Sequence, residues 1–510
     1  MSASREKKTR QDLSGSNWSN PKTAREAQQR KEEKRTNILY GTIGVVFLIV
    51  AIMAVIWKSN IIPKTATAIT IDGEKYTAAE VNYYFQNYYS NWVNQNYYYL
   101  SYIGLDTSSD LRDQTYSDDQ TWFDYFAEQT LDYMCNIQAL NDAAAEDGFT
   151  WNDEMQADMD SSLEDLKTAA SNYGYTEKQY LGMLYGSTMT EKVYKEQLQR
   201  SILAQYYSQA HQDSLTYTED ELTAAYNEDP NAYDQVSYQY VRVSGAAATT
   251  DEDGNEIEVT DEMTAQAMAD AKATADQLYA DWQAGGDLDQ LAEDAGLSVS
   301  ASENGSYSDS VVMNWLFDSD RQAGDTAVLE DTDGSAYYVV GFNERLHDYH
   351  PINVRHILIQ PEQSQLSSDD EGYEADVEAK DAAAKQKAED LLAQWQAGEA
   401  TEDSFAELAK ENSADSNAAQ GGLYEDVTRG AMVDEFNDWC FDPARQAGDT
   451  GIVKTSYGYH IMYFVGTAPE TFWELQVTNA LKSNDMTSWN EEMTEGYTAE
   501  QSSFGMQFVG

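Results

Sequence analysis

Much of the chain carries apolar residues at the three-to-four-residue spacing typical of helices. Between residues 119 and 229, segments such as FDYFAEQTLDYMCNIQALNDAA and MTEKVYKEQLQRSILAQYY follow this spacing, with no proline until Pro230. Earlier in the chain, AITIDGEKYTAAEVNYYF predicts two short strands around an Asp72-Gly73 turn, followed by a helix. These patterns predict a mainly helical domain over residues 66–232.

After this helical region the pattern changes to a unit that occurs twice. Residues 275–296 are similar to residues 388–413. Further along, the string RQAGDT occurs unchanged at 321–326 and at 445–450. Each copy opens with a strand-like run, VSYQYVRVS or INVRHILIQ, and closes with another, AYYVVGF or YHIMYFV. A strand-helices-strand unit that repeats predicts two tandem α+β domains, at 233–346 and 350–467.

One segment is apolar throughout. Residues 38–57, ILYGTIGVVFLIVAIMAVIW, contain no charge, and as a helix they would extend about 30 Å, the thickness of a bilayer core. Basic residues at 31–35 precede it, and the positive-inside bias then predicts a cytoplasmic tail at 1–37. We therefore expect a single-pass cell-membrane protein with an extracytoplasmic body, although TATA at 65–68 leaves a cleaved signal peptide as the alternative.

The charge of the chain restricts the classes of molecule that it is expected to bind. With 32 basic and 89 acidic residues the net charge is -57, which would repel a phosphate backbone and so disfavours nucleic-acid binding. Residues 1–36 alone are net positive, as expected of a tail in a different compartment. Cys135 and Cys440 are the two cysteines, too few for a disulfide framework or a CxxC motif. The sequence predicts no metal and no cofactor.

Two of the five histidines lie at corresponding ends of the second repeat. His356 is in VRHILI and His460 is in TSYGYHIM, both on predicted strands. Strands that open and close one small sheet can be neighbours, which would bring the imidazoles together in the interior. From the residues alone, such a pair is either a hydrogen-bonded core pair or a functional site.

The order of motifs in residues 350–467 decides which family this repeat resembles. VRHILI, LAQWQAG, FAELAKENSAD, QGGLYEDV, GAMVDEFNDWCF and AGDTGIVKTSYGYHIM together closely resemble the parvulin family of peptidyl-prolyl cis/trans isomerases. With its helical flanks and predicted anchor, the whole chain is similar to secretion foldases of the SurA/PrsA type. The resemblance implies an α+β chain with one transmembrane helix, a helical chaperone domain at 66–232 completed by 468–510, and two parvulin-like domains.

The resemblance also implies a set of catalytic residues. His356 and His460 would form the central histidine pair, and Asp415 in ENSADS would occupy the polar position that is Asp or Cys in parvulins. Thr455 would be a hydroxyl residue of the site. Tyr457 departs from the small residue expected at its position, which leaves its role open.

An apolar pocket for proline is implied as well. Leu423 of GGL, with Met432 and Phe436 of GAMVDEF, would hold the pyrrolidine ring. The first repeat differs at these positions, so we expect 233–346 to be a degenerate parvulin-like domain without isomerase activity. Its residues in place of His356, His460, Phe436 and Met432 are expected to be Tyr240, Ala336, Val312 and Ser308.

The sequence thus predicts an extracytoplasmic foldase that isomerises X-Pro bonds in unfolded, newly exported polypeptides. Acidic residues fill the loop after the first strand of the second repeat, SSDDEGYEADVE, and would repel phosphate, so unphosphorylated clients are expected. The alternative is a non-catalytic chaperone or holdase that uses the parvulin-like domains as binding platforms. The oligomeric state is left open, with a homodimer among the options.

Overall fold

The computed structural model describes residues 42, 45–51, 61–250 and 255–510, and confirms the predicted mixture of helices and sheets. The predicted membrane span at 38–57 falls largely outside these residues. Within the described part of the chain, no helix is long and apolar enough to cross a membrane. The described residues up to Leu215 form one compact unit together with Met486–Gly510, and Thr216–Asp485 forms the other.

The first unit is mainly helical. Its elements are α1 Ile61–Thr65, β1 Thr67–Ile71, β2 Glu74–Thr77, α2 Ala78–Gln95, α3 Leu100–Ile103, β3 Thr115–Ser117, β4 Gln120–Thr121, α4 Trp122–Glu146, α5 Asp153–Asn172, α6 Glu177–Tyr185 and α7 Glu191–Ser214. Capping boxes at Thr77 and Thr121 satisfy the first free N–H groups of α2 and α4 and fix where these helices begin. Between α2 and α4 the core is largely aromatic, with Phe85 against Phe123 and Phe126.

The second unit begins with α8, Glu219–Glu228, and continues with the first repeat. The elements of this repeat are β5 Gln235–Ser244, α9 Asp261–Gln283, α10 Leu288–Asp294, β6 Val299–Ser306, α11 Val311–Leu316, β7 Thr326–Glu330 and β8 Ala336–Leu346. Its antiparallel sheet has the order β6-β5-β8-β7.

The second repeat has the same arrangement. Its elements are β9 Ile352–Ile359, α12 Tyr373–Ala397, α13 Glu402–Asn412, β10 Leu423–Val427, α14 Asp434–Cys440, β11 Thr450–Thr455 and β12 Gly458–Thr467, with the sheet order β10-β9-β12-β11. α12 and α13 pack on one face of this sheet, around Ile357, Phe405 and Ile461. The short helix α14 packs on the other face, around Val354, Phe436 and Met462. The two faces thus have separate cores.

The C-terminal residues return to the first unit. After α15, Phe472–Thr494, the strand β13, Ala499–Gln501, pairs antiparallel with β1, so the first unit has a three-stranded sheet of order β13-β1-β2. Chain segments far apart in sequence therefore complete one fold.

Strand register corrects one residue assignment in the first repeat. Tyr240 pairs with Val340 as His356 pairs with Met462, so Tyr240 is the counterpart of His356. Leu329 pairs with Tyr338, nine positions further along, whereas Val453 pairs with His460, only seven positions further along. This difference of two residues shifts the alignment carried over from RQAGDT. The counterpart of His460 is therefore Tyr338, and the sequence-based choice of Ala336 was wrong.

Candidate functional site

The two central strands of the second sheet bring the predicted histidines together. β9 pairs antiparallel with β12, with His356 opposite Met462 and His460 opposite Leu358. Both imidazoles therefore lie on the sheet face that carries α14. Their Nδ1 atoms are 3.0 Å apart and their rings are nearly parallel, with an angle of 14° between the planes. Both side chains are buried, so the pair is shielded from water.

A hydroxyl and a carboxylate lie at the two ends of this pair. Thr455 Oγ1, at the end of β11, is 2.8 Å from His460 Nε2. Asp415, in the loop after α13, places Oδ2 3.5 Å from His356 Nε2. The backbone N–H of Asn417 donates to Asp415 Oδ1 at 3.1 Å and orients this carboxylate. Thr455, His460, His356 and Asp415 thus form one continuous polar row.

The row favours one arrangement of protons. One Nδ1 must donate to the other, because two bare nitrogens or two N–H groups would repel at 3.0 Å. If His356 Nδ1 donated, its Nε2 would be a bare lone pair facing the Asp415 carboxylate. The Thr455 hydroxyl therefore donates to His460 Nε2, His460 Nδ1–H donates to His356 Nδ1, and His356 Nε2–H faces Asp415.

Burial keeps both imidazoles neutral. It lowers the pKa of His460 to about 4, with a further contribution from the neighbouring His356. The pKa of His356 is lowered mainly by burial, against which Asp415 acts to raise it. For Asp415 itself burial acts to raise the pKa, but the Asn417 N–H, His356 and the Tyr424 hydroxyl lower it overall, so the carboxylate is ionised. The arrangement is thus a neutral imidazole pair that ends on an anion.

These pKa shifts predict a loss of stability in mild acid. The unfolded chain binds protons at its histidines near pH 6.5, whereas folded His460 does so near pH 4, so the unfolded state binds more protons between these values. The contribution of His460 to the free energy of unfolding should be constant above pH 6.5 and fall progressively toward pH 4. Imidazole NMR titration of the folded chain, compared with the urea-unfolded chain, measures this. A folded His460 that titrates near 6.5 would contradict it.

An aromatic and apolar wall covers the histidine pair. The ring of Phe436 stands edge-on to both imidazoles, with centroid distances of 5.4 Å to His356 and 5.5 Å to His460. Phe436 is buried in the core under α14, and the partly buried Met432 packs against the same core. The structure thus brings Phe436 and Met432 together, beside the imidazoles.

Leu423 does not join this wall. Leu423 pairs with Arg355, and directly opposite residues of antiparallel strands point to the same face, so Leu423 lies on the face opposite His356. The next residue, Tyr424, pairs with Val354 on the His356 face. Its ring is 5.4 Å from His356 and its hydroxyl donates to Asp415 Oδ1 at 3.0 Å. Tyr424 therefore occupies the place that the sequence assigned to Leu423.

Tyr457 lies at the margin of the site. Its backbone N–H donates to Thr455 Oγ1 at 3.1 Å, while its side chain is 60% exposed. Its backbone thus helps to orient the Thr455 hydroxyl, and its ring faces solvent. Among the described residues, no group of three or more His, Cys, Asp or Glu side chains could hold a metal ion.

This geometry lies in a segment with a recognisable family pattern. Residues 337–466 match the family model of the PPIC-type PPIASE domain, that is, peptidyl-prolyl isomerases of the parvulin class. The chain carries a parvulin-type isomerase domain. The matched segment begins within β8 of the first repeat and extends through most of β12, so it includes the whole histidine site. We call the second repeat, β9 to β12, the isomerase domain.

Solved structures of foldases show a distant likeness to the chain that carries the isomerase domain. PrsA from Bacillus subtilis is 14% identical, with 76% of this chain and 93% of that chain covered and a TM-score of 0.27. The peptidyl-prolyl isomerase PrsA from Bacillus anthracis is 11% identical, with 71% of this chain and 92% of that chain covered and a TM-score of 0.18. A SurA-like chaperone from Campylobacter jejuni is 15% identical, with 84% of this chain and 96% of that chain covered and a TM-score of 0.14. None of the curated proteins compared with the chain matches it.

The first repeat has tyrosines where the isomerase domain has histidines. The rings of Tyr240 and Tyr338 are in contact, with a centroid distance of 5.7 Å, and the Tyr338 hydroxyl donates to Asp331. Val312, on α11, is buried in the core of this repeat. The first repeat therefore keeps the sheet and its core but lacks the imidazole row.

Proposed function

We propose that this protein catalyses cis/trans isomerisation of X-Pro bonds in unfolded polypeptides, and that His356, His460, Asp415 and Thr455 with the Phe436 wall form its active site. The observation that carries the proposal is the buried, neutral histidine pair against Phe436, within a segment that matches isomerases. If the two histidines were only a hydrogen-bonded pair in the core, neither an ionised Asp415 nor an apolar wall would be needed beside them.

The chemistry requires rotation and no covalent step. The barrier arises from amide resonance and is about 20 kcal/mol. An apolar wall of Phe436, Met432 and Tyr424 can hold the proline ring while the preceding carbonyl turns. The fixed dipoles of the row from Thr455 to Asp415 can then stabilise the twisted amide more than the planar one, which lowers the barrier. The proline pocket in this proposal includes Tyr424 in place of Leu423.

The proposal is tested by measuring how fast the full chain isomerises a short X-Pro peptide. We expect acceleration of the cis-to-trans step, and a slower reaction when a phosphoserine precedes the proline. The loop before α12 carries Asp369, Asp370 and Glu371, all exposed, which would repel the phosphate. A chain that is folded but does not accelerate either peptide would contradict the proposal.

A second activity, chaperone binding by the first unit, is favoured by one surface. Tyr97, Tyr98, Tyr99 and Tyr102, between α2 and the end of α3, are 64% to 86% exposed. Exposed aromatic side chains this close together are typical of protein-binding surfaces. We propose that this tyrosine surface holds apolar segments of unfolded clients, in an extracytoplasmic compartment as the predicted anchor suggests.

The tyrosine surface predicts a separation of activities. The double substitution Tyr98→Ser and Tyr102→Ser should weaken suppression of client aggregation at least threefold, because most of the apolar contact area of the surface is removed. Isomerisation of a short X-Pro peptide should not change. Light scattering of an aggregating unfolded protein measures the first effect, with Tyr173→Ser, also highly exposed, as the control. Equal suppression by all three chains would contradict a client-binding role for this surface.

A further inference from the structure

A cleft separates the first repeat from the isomerase domain. It has a volume of about 470 Å³ and is lined by residues 301–304 of β6 on one side and by Gly430, with polar side chains of α14, on the other. Two contacts join the first repeat to the isomerase domain near this cleft. Asn304 Nδ2 donates to the carbonyl of Gly430 at 3.2 Å, and Arg429 Nη1 forms an ion pair with Glu344 at 2.8 Å. We name this feature the inter-repeat cleft.

The inter-repeat cleft adjoins the proposed proline pocket. Gly430 lies two residues before Met432, and its N–H donates to Asn437 Oδ1 at 2.8 Å, next to Phe436. Within α14, Phe436 is buried toward the histidines, whereas Asp434, Asn437 and Asp438 line the cleft. One short segment therefore supplies both the proline pocket and the wall of the cleft.

The opposite wall is an edge strand. Among the described residues, β6 is the last strand in the order β6-β5-β8-β7, so one of its edges has no partner strand there. Its pairing with β5 is interrupted at Glu303 and Asn304, where two residues lie opposite Ser237, as in a β-bulge. The unpaired edge of a strand can accept an extended peptide through main-chain hydrogen bonds.

The cleft is also acidic. Glu303, Asp434 and Asp438 are exposed side chains that line it. In the part of the chain that the structure describes, none of these carboxylates has a Lys or Arg nitrogen within 4.0 Å. Three unpaired carboxylates around one extended binding edge would attract a cationic segment.

We propose that the inter-repeat cleft binds the client residues that flank the isomerised proline, as an extended segment along β6, and selects segments that carry Lys or Arg. The inference rests on the proposed isomerase function, since it places the proline at Phe436. It assigns the degenerate first repeat a role in substrate selection for the neighbouring active site. Glu303 and Asp438 would be the specificity-determining residues.

Three unphosphorylated peptides with the same central X-Pro bond test this, with Lys, Ala or Glu at the flanking positions. For the full chain at low salt we expect kcat/KM for the Lys peptide to exceed that for the Glu peptide at least fivefold. Glu303→Lys should reduce this ratio at least threefold, and Asp438→Lys should do the same from the opposite wall. Glu293→Lys is the matched control, because it makes the same charge change at an exposed position of α10 in the same repeat.

The outcomes separate the cleft from the catalytic site. Equal kcat/KM for the Lys and Glu peptides would overturn the inference, and so would a ratio that Glu293→Lys reduces as much as Glu303→Lys does. In either case, turnover of the Ala peptide would still support the isomerase function. If no peptide is isomerised, the proposed function fails, and anisotropy of the labelled peptides then decides on the cleft. If the Lys peptide binds and Glu303→Lys weakens this binding, the proposed role of the cleft is supported. If Glu303→Lys leaves the binding unchanged, that role is overturned.

Discussion

Phe436→Ala should lower the free energy of unfolding of the isomerase domain by about 3–5 kcal/mol and abolish catalysis. Phe436 is 2% exposed and its ring contacts both imidazoles, so truncation leaves a cavity in the core and also removes the wall that would hold the proline. Urea unfolding measures the first effect, and the isomerisation rate of an X-Pro peptide measures the second.

Phe405 provides the matched control, because it is fully buried in the same domain on the opposite face of the sheet. Phe405→Ala should cost a similar amount of stability. Phe436→Leu and Phe405→Leu, which preserve more of the core, separate stability from activity. We expect kcat/KM to fall about tenfold or more in Phe436→Leu, the equivalent of about 1.4 kcal/mol of lost transition-state binding, and to stay within twofold in Phe405→Leu. Full activity in both Leu variants would remove Phe436 from the site.

Gly422→Ala should be the most disruptive single methyl addition in the isomerase domain. Gly422 has a φ of +68°, and a Cβ there would overlap the carbonyl oxygen of His356. The same glycine accepts the His356 N–H at 2.9 Å, so relief of the overlap must move the strand that carries the histidine. We expect a loss of about 2–5 kcal/mol from backbone strain and steric overlap together, with a displaced His356 ring.

Gly448→Ala isolates the backbone component of this effect. Gly448 has a φ of +89°, and apart from its chain neighbours no heavy atom of the described residues lies within 4 Å of the position its Cβ would take. Its substitution should cost about 1–2 kcal/mol and leave the imidazole NMR signals unchanged. Equal costs for the two alanine variants, with an unshifted His356 signal in Gly422→Ala, would contradict the close packing described here.

Sequence patterns identified the histidine pair because the repeat marks the two strands that carry it. His356 and His460 lie on the strands that open and close a repeat, and such strands become neighbours when the unit forms one sheet. The predicted proximity of the two imidazoles is therefore confirmed. Asp415 and Thr455, which the resemblance assigned to the same site, lie at the two ends of the pair.

The errors arose where register decides which face a side chain occupies. A shift of one residue along a strand reverses its face, and that shift separates Leu423 from Tyr424. Similarly, the longer β7–β8 connection replaces Ala336 with Tyr338 as the counterpart of His460. Motif alignment carries no information on strand register, so only the pairing of backbones could resolve these two positions. The inter-repeat cleft was not predicted either, because it joins β6 of one repeat to α14 of the other, and no motif or strand pairing links these two elements.

The histidine site of the second repeat should isomerise X-Pro bonds, whereas the first repeat should not. Exchange NMR of an unphosphorylated X-Pro peptide, with the full chain and its Met432→Ala variant, tests this most directly, with Met313→Ala in the first repeat as the control. We expect catalysed exchange by the unaltered chain and by Met313→Ala, and at least a tenfold loss in Met432→Ala. Exchange that is absent from the folded chain, or unaffected by Met432→Ala, would contradict this expectation.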